Sequence, residues 1–201
     1  MHMSADLDDL ARFLPPPEGG VSSPPWEGAA AEIGIDFPGD YREFVGRYGG
    51  GVIYTALDEP RFFVYAPSLS NGGFNRFVDR THSDFRPLFE FDGADEDYWG
   101  GVVYPIHPAS GGLLAWGENE DGDIFFWLTG DPDPDRWPVI MWARGAATTY
   151  RFEGGMVAFL LNVLHGDHPA SEWLTGPRMW WIMESDWLRE GLSVSSGPPA
   201  V

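Results

Sequence analysis

PPWEGAAAEIGIDFPGDYREFVGRYGGG, residues 24–51, reads as two short helices separated by a hinge and followed by the start of a sheet. Trp26, Ala29, Ala30 and Ile33 recur at helical spacing after Pro24-Pro25, and Gly34 is placed to stop that helix by taking a positive φ. Asp36 is the expected N-cap of the second helix, with Pro38 near its first turn and Asp40 at the positive end of its dipole. Tyr41, Phe44, Val45 and Tyr48 fall at i, i+3, i+4 and i+7, so one face is apolar, while Arg42, Glu43 and Arg47 occupy the others. Gly49-Gly50-Gly51 end the helix, and Val52-Ile53-Tyr54 open a strand. Nothing in the stretch is poised for chemistry; it reads as a packing unit.

Working outward, further strands are expected at Arg61 to Tyr65, Gly101 to Tyr104, Gly112 to Trp116, Ile124 to Leu128, Trp137 to Trp142 and Thr148 to Phe152. Asp121-Gly122 suits a type I′ hairpin turn. Gly155 to His165 is amphipathic through Met156, Phe159, Leu160, Val163 and Leu164. Between Ser68 and Arg80, Asn71-Gly72-Gly73 argues against a long helix. Asp6 to Phe13 could form one short helix, but Pro15-Pro16-Pro17 and Gly19-Gly20 break it, so residues 1–23 read as a flexible leader. The pattern predicts an α+β domain over residues 24–166, a mostly antiparallel sheet with helices packed on one side. Residues 167–201 form a Trp-rich extension whose Trp173, Trp180, Trp181 and Trp187 are too apolar for a free tail. Residues 171–192 are expected to fold back on the domain or to cover a neighbour.

The order of these features resembles the SUKH superfamily, which comprises yeast cell-wall regulators of the Smi and Knr type and many bacterial immunity proteins. The resemblance runs from the Trp26 helix through Ile33-Gly34, Phe37-Pro38, Asp40-Tyr41-Arg42-Glu43-Phe44 and Tyr48-Gly49-Gly50-Gly51. It continues at Leu114-Ala115-Trp116-Gly117, Asp121-Gly122, Phe126-Trp127-Leu128, Asp131-Pro132-Asp133 and Trp137, and ends near Gly166. Ile33 and Phe37 stand where the family pattern has leucine. The resemblance implies a helix after the early strands. It also implies a protein that binds and neutralises a cognate polymorphic toxin, or alternatively an intracellular regulator or scaffold of the Smi/Knr type.

Composition narrows the classes. The 201 residues carry 31 acidic against 12 basic side chains, a formal charge of −19, and every basic residue is arginine. That balance opposes binding to nucleic acid and to anionic lipid, which require a basic footprint, and favours a basic protein partner. With no cysteine, disulfides, thiolate metal sites and cysteine catalysis are excluded. No apolar run approaches a membrane span and no basic-then-apolar signal opens the chain, so the expected location is the cytoplasm.

No catalytic, cofactor-binding or metal-binding residue is assigned. His165 and His168 have a ligand-like spacing, but Gly166 interrupts the helix between them. The Asp131, Asp133, Asp135 alternation is broken by Pro132 and Pro134 and lacks the glycine and distal glutamate of a calcium loop. There is no G-x-S-x-G frame, and without lysine there is no Walker loop. Three acidic loops with adjacent aromatics remain as expected partner-binding elements. They are Asp92, Asp95, Glu96 and Asp97 with Trp99; Glu118, Glu120, Asp121 and Asp123; and Asp131, Asp133 and Asp135 with Trp137. Their force depends on whether they converge in space.

Overall fold

A computed structural model describes residues 3–55, 60–67, 73–89, 104–174 and 179–186. Five helices, α1 (Met3–Phe13), α2 (Trp26–Ile33), α3 (Gly39–Tyr48), α4 (Gly73–Phe89) and α5 (Met156–His165), surround seven strands. The strands are β1 (Gly51–Thr55), β2 (Pro60–Val64), β3 (Leu113–Asn119), β4 (Ile124–Leu128), β5 (Val139–Ala143), β6 (Thr148–Phe152) and β7 (Met179–Met183). They form one sheet in the order β6-β5-β4-β3-β2-β1-β7, and every strand pairing is antiparallel.

Strand alternation sorts the side chains into two layers. Leu114, Trp116, Phe125, Trp127, Val139 and Met141 face the larger core, built with α1, α2, α3 and α5. Leu113, Ala115, Ile124, Phe126 and Ile140 face the other way, against Phe77 and Phe85 of α4. The one-sided helix layer therefore holds for four helices, whereas α4 bridges: its Phe74 and Val78 belong to the larger core and its Phe77 and Phe85 to the smaller. Of the residues that weakened the helix reading over 68–80, Asn71 and Gly72 lie outside the described residues, and Gly73 opens a 17-residue helix without interrupting it.

Two segments outside residues 24–166 are built into this frame, α1 and β7, unlike the flexible leader read from the sequence. Leu7, Leu10 and Leu14 recur every three or four residues and are buried, and Tyr48 Oη donates to the Leu14 carbonyl at 2.7 Å. The prolines end α1 only after that apolar stripe is complete. At the other end, β7 pairs with β1 from Gly51↔Met183 to Thr55↔Met179. Trp181 enters the core, T-shaped on Phe44, and its indole N–H donates to the Tyr48 carbonyl at 2.7 Å. The expected strand at 101–104 lies largely outside the described residues.

Two local expectations are corrected. Asp36 does not cap α3; it pairs with Arg42 at 2.7 Å, and the Gly39 N–H is met instead by Asp135 Oδ1 at 2.5 Å. The β3–β4 turn is not type I′, because only Gly122 takes a positive φ (83°). Asn119 and Asp123 close a three-residue loop, with Asn119 N–H on the Asp123 carbonyl at 3.0 Å and Asp123 N–H on Asn119 Oδ1 at 2.8 Å. The side-chain brackets let Asp121 keep an ordinary backbone, with glycine in the left-handed position that ends such loops.

Candidate partner-binding surface

The two described acidic loops flank β4, one before it and one after. Five strand residues separate them, about 17 Å at the strand rise. They stand at opposite poles of the sheet and do not converge. Asp92, Asp95, Glu96, Asp97 and Trp99 lie outside the described residues.

At the first pole, the carboxylates are largely engaged. Glu118 accepts from Tyr65 Oη at 2.5 Å and from Arg80 at 3.0 Å, and Glu120 reaches Arg61 at 3.5 Å. Burial pushes the Tyr65 phenol well up, and the Glu118 carboxylate adds to that shift. Asp123 is 3% exposed and accepts from the amide of Arg144 at 2.6 Å and from Asn119 Nδ2 at 2.8 Å, binding this hairpin to the β5–β6 turn. Its carboxyl is raised chiefly by burial, against those two hydrogen bonds. Asp121 alone of the four is exposed without such an anchor.

At the second pole, the aspartates accept from backbone amides: Asp131 Oδ1 from Asp133 N at 2.9 Å, Asp133 Oδ1 from Asp135 N at 3.2 Å, and Asp135 Oδ1 from Gly39 N. An amide donor orders a carboxylate but leaves its charge uncompensated, and among the described residues the one arginine paired with this loop is Arg136, 3.6 Å from Asp133. Trp137 is 4% exposed, and its indole N–H donates to the Asp131 carbonyl at 2.7 Å. It supports the loop from within and presents no ring to a partner; Asp123 is likewise interior.

Asp40, His82 and His168 have structural partners. Asp40 is buried and accepts from Tyr41 N at 2.7 Å and Val157 N at 3.0 Å, tying α3 to the start of α5. Burial raises its carboxyl, while the amides of Val157, Tyr41 and Met156 oppose the rise. His82 accepts from Ala115 N at 3.3 Å; burial, then His107 and Arg86, lower its imidazole to about 4. His168 Nδ1 accepts from Ala170 N at 3.0 Å. No group of three or more His, Asp or Glu suited to a metal occurs among the described residues.

The hinge-helix stretch is interior scaffolding. Trp26 meets Phe37 and Tyr41 edge-on at 5.5 and 5.8 Å, with the Arg42 guanidinium 5.4 Å from its centroid. Gly34 closes α2 at φ 88°, and Tyr41 Oη donates to the Tyr65 carbonyl at 2.6 Å. The model of the SMI1 / KNR4 family (SUKH-1) matches residues 25–162. The chain belongs to the SMI1/KNR4 family. Within the matched region these residues act as a cap, packed rings and close backbone contacts that hold the fold together. A search of curated proteins gives no match. No helix among the described residues is long and apolar enough to cross a membrane.

Proposed function

We propose that this SUKH-1 protein is an immunity protein that binds and neutralises a cognate bacterial toxin, a basic protein with nuclease chemistry, in the cytoplasm of the cell that makes both. It acts by occupying a surface meant for phosphates and transforms no substrate. The supporting observation is electrostatic. Seven of the described arginines, Arg12, Arg42, Arg47, Arg61, Arg80, Arg136 and Arg151, already sit beside carboxylates, and 31 acidic against 12 basic side chains leave most of the negative charge without an arginine to meet it.

Within that reading, the pole carrying Asp131, Asp133 and Asp135 is the better docking surface. Its carboxylates are fixed by amides and keep their field, whereas Glu118 and Glu120 spend theirs on arginines. The test is coexpression with the toxin encoded beside it. Cells survive and the pair co-purifies one to one if the proposal holds; death of the coexpressing cells refutes it.

A further inference from the structure

Beside the glycines that follow α3, a cleft of about 300 Å³ opens between the Gly20 to Pro25 segment, the end of β2 and the end of β7. Val21, Pro25, Val45 and Met183 make its walls largely aliphatic, and among the described residues its one ionisable lining group is Glu184. The Glu184 N–H donates to the Gly50 carbonyl at 2.8 Å. Its carboxylate is partly buried and takes no hydrogen bond or ion pair from the described residues; burial alone holds it above its ordinary range. Glycines bound it: a Cβ at Gly73 would stand 3.1 Å from Oε1, and one at Gly50 3.5 Å from Oε2. The oxygens are thus neighboured by bare backbone. A partly desolvated carboxylate that no described residue partners is costly by itself and becomes favourable when a cation meets it.

We propose that this cleft receives one arginine side chain of the basic partner, its methylenes along Val21, Pro25 and Met183 and its guanidinium on Glu184. The source of the arginine rests on the immunity reading; the chemistry of the cleft does not. Gly49 and Gly50 of the floor belong to the region matched by the family, while Val21, Met183 and Glu184 lie outside residues 25–162. A floor inside the matched region, with walls and carboxylate partly outside it, is a means of choosing among basic partners. Guanidinium suits it better than ammonium, because its planar fork can engage both carboxylate oxygens and its weaker hydration is lost more readily.

The experiment titrates n-butylguanidinium into the isotopically labelled full chain and follows the amides of Val21, Gly49, Gly50 and Ser185 together with the Glu184 carboxyl carbon. Saturable shifts confined to these positions are expected, with at least about tenfold weaker binding in Glu184→Gln, the loss of one charge-assisted contact. The uncharged n-butylurea should produce no saturable shift. Equal binding by the urea, dispersed shifts, or an unaffected Glu184→Gln variant overturns the cleft. Val21→Trp, which fills the space from its wall and leaves the carboxylate in place, should abolish binding too and serves if Glu184→Gln does not fold. Once the toxin is in hand, toxin binding unchanged by both substitutions overturns the anchor while leaving the immunity reading standing. Guanidinium bound at Glu184 in a chain that rescues no cell supports the cleft and removes the proposed source of its arginine.

Discussion

Asp40 has one carboxylate oxygen on the Tyr41 amide and the other on Val157, so a single side chain fixes where α5 begins relative to α3. Gly155 is hydrogen there because a Cβ would run into Asp40 Oδ2. Replacing Asp40 with alanine removes a helix cap and strands buried amides, and should lower stability by about 2–3 kcal/mol in urea unfolding. His82 supplies a pH-dependent counterpart. Its neutral ring accepts the Ala115 N–H, which a protonated ring cannot do. Unfolded, the imidazole titrates near 6.5; folded, near 4. Above pH 6.5 both states are neutral and the group adds no slope. Between pH 6.5 and 4 the unfolded chain takes up a proton that the fold refuses, so stability should fall by about 3 kcal/mol over that window. His82→Phe should start less stable, having lost the acceptor, yet lose less from pH 7 to pH 4.5; equal losses in the two proteins would refute the assignment.

At the scale of elements, β7 and α1 decide how much of the chain is one cooperative unit. Trp181 is fully engaged between Phe44, Tyr48 and the Tyr48 carbonyl, while the neighbouring Trp180 is only half-buried beside Tyr54. Trp181→Ala should cost about 3–5 kcal/mol in a single unfolding transition, and Trp180→Ala markedly less. Leu10→Ala in α1 should cost about 2–5 kcal/mol in the same transition, which a detached leader would not show. The strands β4 and β6 were legible to the residue, because each is an apolar or β-branched run bounded by turn chemistry. The Gly34 stop was legible for the same local reason. What escaped was non-local. Whether three leucines before a proline run find a core, or which edge a Trp-rich tail joins, depends on surfaces assembled from distant residues. Glycines at 72 and 73 looked like a break because spacing alone does not show that a helix starts there.

For the whole molecule, charge is the property that the sequence displayed most openly, and its placement the one it concealed. The aspartates of one loop turn inward to amides, Asp123 is interior, and Trp137 is a prop beneath its loop. Alternating acids and prolines give no hint of which oxygen will meet a backbone donor. Asp131→Asn with Asp133→Asn keeps those accepting oxygens and deletes the charge. The pair should slow association with a basic toxin roughly tenfold at low salt, with the rates converging near 1 M salt where screening shortens the field to about 3 Å. Stopped-flow rates across a salt series would measure it; parallel salt dependences for the two proteins would remove that pole from the interface. The closing strand has a further consequence in time. Trp181 and Tyr48 are 133 residues apart, and β1 gains its outer neighbour only from β7. A ribosome that has made the entire family-matched region still holds a sheet with an unfilled flank, open to any passing extended peptide. Completion waits for residues 179–183, so nascent chains cut short near residue 170 should cling to chaperones and sediment, while those that include β7 run free.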